Sequence, residues 1–116
     1  MRRDLLLISE MITAAEQAQS LVADADLVAL HHDRQRRDAL LWNFTVLGEA
    51  AAQVDADVRA RFPQVEWQQP TRLRNRIVHG YWSIDLEILH TTATDLLPAF
   101  TTQLRTVLSE HETEPS

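Results

Sequence analysis

Cysteine is absent from this 116-residue chain, so disulfides, zinc–thiolate centres and thiol catalysis are excluded. That suits a reducing cytoplasm, the expected location. Lysine is absent too: all eleven basic residues are arginine, a bias explained more simply by coding preference than by a functional demand for guanidinium. With two glycines and four prolines there is little material for hairpins, and strand-like alternation is missing. Long apolar runs are missing as well. After Met1-Arg2-Arg3-Asp4, the run Leu5-Leu6-Leu7-Ile8 briefly resembles a secretory leader, but Ser9 and Glu10 end it and no small-residue cleavage site follows. Nothing approaches the roughly 20 apolar residues of a membrane helix. A soluble protein is expected.

What is present is helical periodicity over a hydrophobic fraction of 45%, enough for one core and one domain over 1–116. Leu5, Ile8, Ile12, Ala15 and Val22 share one face of a first helix that runs to about Ala23. Asp24 to Asp33 reads as a connector with a short turn of helix at Leu27-Val28-Ala29-Leu30. A long helix is predicted from Asp33 to about Arg61, with the stripe Leu40, Phe44, Leu47, Ala51, Val54, Val58. Leu41, Trp42 and Val46 flank that stripe and suit either a dimer interface or a wide core face. Phe62-Pro63 stops the helix. A third helix covers about Trp67 to Val78, and Gly80 lets the chain leave it. Ser83 or Asp85 caps a fourth, with the stripe Leu86, Leu89, Ala93, Leu96, Phe100, Leu104, Val107 and a kink at Pro98. A polar tail occupies 110–116. Four or five helices with short connections predict an all-α antiparallel bundle.

Leu73-Arg74-Asn75-Arg76-Ile77-Val78-His79-Gly80-Tyr81-Trp82-Ser83 carries the chemistry. Net charge is −6, yet Trp67 to Ile84 holds Arg72, Arg74 and Arg76 with no acid, so this segment is +3 against −9 for the rest. On one continuous helix Arg74 and His79 diverge by roughly 140°, so they converge only if His79 sits at the helix end and Arg74 reaches round. Arg72, Arg76 and His79 form a basic stripe at i, i+4 and i+7. Attack of a 2′-hydroxyl on the adjacent RNA phosphate would use this set without metal or cofactor. Imidazole moves the proton and guanidinium stabilises the phosphorane. A two-fold dimer would supply two such pairs to one groove, and Trp82 or Tyr81 would stack an unpaired base. The same residues also fit a solvated basic face with a histidine on the helix dipole.

Leu73 to Tyr81 resembles the Arg-x4-His-x-Tyr signature of HepT-like toxins, small helical proteins of the HEPN superfamily. Leu47-Gly48-Glu49-Ala50-Ala51, Phe62-Pro63, Trp67, Ser83-Ile84-Asp85-Leu86-Glu87 and Leu97-Pro98 extend the similarity over roughly Asp4 to Leu108. The resemblance implies a HEPN-like bundle and a toxin of a type VII-like toxin–antitoxin pair, a metal-independent endoribonuclease acting as a homodimer. It implies Arg74 and His79 as the catalytic pair, with Asn75 orienting the histidine or the phosphate. Tyr81 would be the site where an MntA-like nucleotidyltransferase antitoxin adds AMP. Pro70 departs from the pattern and could move the helix start to Thr71.

Glu49 can pair with Arg74 or Arg76, or take a proton-transfer role. Gly48, at a cost of about 1 kcal/mol relative to alanine in a helix interior, suggests a close helix contact. His31-His32-Asp33 has no third partner spaced to complete a metal site. His90 and His111 read as surface or cap residues, Trp42 as packing, and Trp67 as the anchor of the third helix. The competing function is a non-catalytic helical module that binds a nucleotide or a nucleotidyltransferase.

Overall fold

Every segment with a helical apolar stripe forms a helix in the computed structural model, which describes residues 2–112 and the side chains of residues 3–110. α1 spans Arg2–Val22, α2 Leu27–His32, α3 Arg34–Gln53, α4 Ala56–Arg61, α5 Gln68–Gly80, α6 Leu86–Thr91 and α7 Leu97–Glu112. A 3₁₀ turn, Tyr81–Ser83, follows α5, and a π turn, Thr92–Leu96, joins α6 to α7. No strand occurs among the described residues, so the all-α bundle is observed. No helix among them is long and apolar enough to cross a membrane. Of the polar tail expected over 110–116, the part through Glu112 is helical; residues 113–116, and the side chain of His111, lie outside the described residues.

Side-chain bonds fix the helix directions. Arg3 Nη2 donates to Gln53 Oε1 at 2.8 Å, and Arg36 Nη1 donates to the Leu21 carbonyl at 2.6 Å. The start of α1 therefore meets the end of α3, and its end meets the start of α3. Gln19 Nε2 donates to Thr101 Oγ1 at 2.9 Å, and Arg105 pairs with Glu16 at 2.6 Å. Hence α7 is also antiparallel to α1. Between them Ile8, Met11, Ala15, Leu40, Phe44, Leu47, Leu89 and Leu104 lie at 2% exposure or less. Burying each large apolar side chain contributes about 1.5–3 kcal/mol.

Asp33 caps α3 by accepting the Arg36 amide at 3.1 Å. That bond, helped by the Arg36 guanidinium, holds the Asp33 carboxyl below its ordinary value. Arg36 also bonds Asp24 at 2.9 Å, so one arginine ties the whole Asp24–Asp33 connector to the end of α1.

The predicted long helix from Asp33 to Arg61 is broken. Val54 is extended (φ −64°, ψ 135°) between α3 and α4. The buried Asp4 carboxylate accepts the Asp55 amide at 3.0 Å, taking a donor that an unbroken helix would have sent to residue 51. Both sides keep their apolar phase, so Val54 and Val58 stay buried and periodicity gives no hint of the break.

Pro70 does not delay α5. It lies in the first turn, where its missing N–H would have had no helical partner, and it is buried. Trp67 anchors the helix as expected, buried with Nε1 donating to the Phe62 carbonyl at 2.9 Å. Gly80 takes no left-handed conformation; α5 instead tightens into the 3₁₀ turn. Asp85, not Ser83, caps α6, accepting the Glu87 amide at 2.9 Å.

The break at Pro98 takes the form of the π turn, where the Leu97 amide bonds the Thr92 carbonyl. Proline has no amide for residue 94 and its ring crowds that carbonyl, so the turn widens just ahead of it. At its end the core side chain is the neighbouring leucine, while Phe100, Leu104 and Val107 keep the expected phase. Leu97 is buried at 3% while Leu96, expected in the core, is 61% exposed. Trp42, expected to pack, is 66% exposed, while Leu41 and Val46 pack against the core. His90, expected at the surface or as a cap, lies in the last turn of α6 and is half-buried, with Nε2 2.8 Å from the Ala25 carbonyl, and it joins α6 to the loop after α1.

Candidate active site

The motif helix α5 has a narrow apolar edge. Pro70 and Ile77 are buried and Leu73 half-buried, a 3-then-4 spacing that seats the helix on α3 with one face toward solvent. Seating is close at one point. A Cβ placed on Gly48 would fall 2.3 Å from the Arg74 Cβ and 2.4 Å from the Pro70 carbonyl oxygen. Only glycine leaves room there, so the propensity cost of Gly48 is offset by helix–helix approach. Thr71 Oγ1 donates to the Gly48 carbonyl at 3.3 Å across the same junction.

This junction places Arg74. Its side chain is 23% exposed, and Nη2 lies 2.7 Å from Glu49 Oε2 on α3. Nη1 donates to Asn75 Oδ1 at 2.9 Å, and Nε is buried without a hydrogen-bond partner. Of its five guanidinium donors, one is hydrogen-bonded to Asn75 and the fork is ion-paired with Glu49, so terminal N–H groups remain without a protein acceptor. The arginine paired by Glu49 is Arg74, not Arg76.

His79 occupies the last turn of α5 and is exposed, as the spacing required. Arg74 does not reach it: the guanidinium is turned to Glu49 and Asn75, and the imidazole makes no hydrogen bond or ion pair among the described residues. Asn75 correspondingly spends its side-chain oxygen on Arg74 rather than on the histidine. The reason is geometric: five residues along a helix leave the two side chains roughly 140° apart, and the close α3 contact holds Arg74 inward.

Arg72 donates to Gln68 at 2.9 Å along the exposed face, and Arg76 is exposed there with no ion pair among the described residues. With Arg74 neutralised by Glu49, the outward positive charge comes from Arg72 and Arg76. Beyond His79, Tyr81 is 59% and Trp82 78% exposed, their rings edge to face with centroids 5.4 Å apart. The 3₁₀ turn therefore displays a phenol and an indole directly after the imidazole.

A groove of about 620 Å³ runs beside the stripe, bordered by Arg72 and Arg76 and floored by Phe44, Leu73, Leu97 and Phe100. Sequence reasoning missed it, because its walls come from residues of α3, α5, α6 and α7 that are far apart along the chain. His31 and His32 are exposed, the Asp33 carboxylate caps α3, and the His31 carbonyl accepts from Arg37 at 2.6 Å. Among the described residues no group of three or more histidines and acids could hold a metal ion.

The chain matches the family described as ribonuclease HepT-like over residues 11–107. It is similar to the "Probable ribonuclease HepT" of Thermococcus cleftensis, 23% identical over 92 residues that cover 79% of this chain and 81% of that protein. It is also similar to the "Putative RNase MJ1380" of Methanocaldococcus jannaschii, 28% identical over 80 residues covering 69% of this chain and 73% of the relative. No solved structure matches it.

Proposed function

This chain belongs to the ribonuclease HepT-like family, and from that premise we propose that it is an endoribonuclease toxin of a type VII-like toxin–antitoxin pair. The observation that supports this best is the family match itself, since residues 11–107 include Arg74 in the middle and His79 in the last turn of one helix. The catalytic pair is Arg74 and His79. An RNA phosphate lies over the outward face of α5, drawn by Arg72 and Arg76. The free imidazole of His79 accepts the 2′-hydroxyl proton, O2′ bonds to phosphorus, and the 5′-oxygen leaves with a proton from an imidazolium. Products are a 2′,3′-cyclic phosphate and a 5′-hydroxyl, with no metal required. Because Arg74 is turned away from His79 within one chain, it is the Arg74 of the facing protomer that supplies charge to the phosphorane. A homodimer provides the second histidine, so that one acts as base and the other as acid.

Tyr81 is the control point. A partner nucleotidyltransferase of the MntA-like kind transfers AMP to the phenol oxygen, with pyrophosphate leaving from the nucleoside triphosphate. The added phosphate and nucleoside exclude the RNA backbone beside His79. The 59% exposure of Tyr81 supports this, because a transferase must reach the hydroxyl. It also favours the second reading, in which the chain is only the binding partner and substrate of such an enzyme. Incubation of the purified protein with tRNA and mRNA in EDTA separates the two. Cleavage is expected, falling about 10²–10⁴-fold in His79→Ala. If the wild type and His79→Ala are equally inert in vitro and equally harmless in cells, the ribonuclease proposal fails and the binding module stands.

A further inference from the structure

A carboxylate beside a phosphate-binding arginine is electrostatically unfavourable for RNA. Glu49, reaching across from α3, nevertheless sits 2.7 Å from Arg74, on an α5 that itself carries no acid. Three contacts converge on this one side chain. Its Cβ and Cγ lie against the bare backbone of Gly48, where an added Cβ would be 2.3 and 3.1 Å from them. Its two terminal nitrogens are held by Glu49 and Asn75 at 2.7 and 2.9 Å. Arg72 and Arg76, on the same helix, are exposed.

We propose that Gly48 and Glu49 form a seat for the active-site arginine. Gly48 sets how closely α5 approaches α3, and Glu49 is a positioning residue that orients the guanidinium. Its unengaged N–H groups are thereby aimed in advance at the charge that grows on the phosphorane. Preorganised donors act mainly in the transition state, whereas the charge of Glu49 repels the RNA in the ground state as well. The two effects have opposite signatures in steady-state kinetics. The inference rests on the ribonuclease assignment above.

The test compares wild type, Arg74→Ala, Glu49→Ala and Glu49→Gln by kcat and KM on one RNA, together with the Nε–Hε NMR signal of Arg74, assigned by its loss in Arg74→Lys. Expected is an inactive Arg74→Ala, and a Glu49→Ala with kcat about tenfold lower while KM is unchanged or lower. Glu49→Gln, which keeps an oxygen acceptor, recovers most of kcat. The Arg74 signal is sharp and protected in wild type and broadened in Glu49→Ala. A Glu49→Ala enzyme with wild-type kcat and lower KM, alongside an inactive Arg74→Ala, overturns the seat: Glu49 would then be only a repelling charge. If the wild type cuts no RNA, the ribonuclease assignment fails and the NMR signal alone decides. Its broadening in Glu49→Ala upholds the seat, and its persistence overturns it.

Discussion

Gly48→Ala tests the helix junction that holds the arginine. In an exposed helix interior this substitution stabilises by about 1 kcal/mol, since alanine loses less backbone entropy. At this position the new methyl meets the Arg74 Cβ at 2.3 Å and the Pro70 carbonyl oxygen at 2.4 Å. Comfortable non-bonded separation is about 3.5–4.0 Å, so each overlap exceeds an ångström. Neither obstacle is the free end of a flexible chain: one is backbone, the other is a Cβ fixed to it. Relief therefore requires α5 to move off α3, which places the cost at the upper end of the about 1–3 kcal/mol typical of overpacking. After the propensity gain, a net loss of about 1–2 kcal/mol remains. For a domain of this size that lowers Tm by about 4–10 °C. Thermal and urea unfolding followed by circular dichroism measure it, with exposed Ala52→Gly on the same helix as the propensity control. A Gly48→Ala protein more stable than wild type would refute the close-contact argument.

Leu97→Ala should cost about 2–5 kcal/mol as a core truncation, whereas Leu96→Ala should stay within about 0.5 kcal/mol; the reverse order in urea titrations would mean the π turn is wrong. In the inactive His79→Ala background, Trp82→Ala should weaken binding of single-stranded RNA about tenfold, as loss of one base stack implies. Duplex RNA should be unaffected and Trp82→Phe near normal; equal losses on both RNAs would count against stacking. Asp33→Asn should destabilise at neutral pH, because the folded-state pKa of Asp33 is depressed by the Arg36 amide and guanidinium. A depressed carboxyl stabilises above its unfolded pKa and loses that contribution as pH falls through the folded value. The gap between variant and wild type should therefore close on acidification below about pH 4, and a gap that widens there contradicts the linkage.

Much of this protein was legible along the chain because amphipathic spacing is local. The stripes of α1 and α3, the start of α3 near Asp33, the Trp67 anchor and the helix end at His79 follow from residues within a turn or two of each other. The sequence by itself thus determined an all-α bundle and where along it the Arg-His-Tyr segment falls. Tertiary structure decided the rest. Asp4, more than fifty residues away, breaks the long helix at Val54 while leaving its apolar phase intact. The π turn exchanges Leu96 for Leu97 through a proline's missing donor. Arg74 had two candidate directions, toward His79 or into α3, and periodicity cannot choose between them. Gly48 and Glu49, brought up on another helix, made that choice, because a long side chain settles where distant atoms give it space and opposite charge.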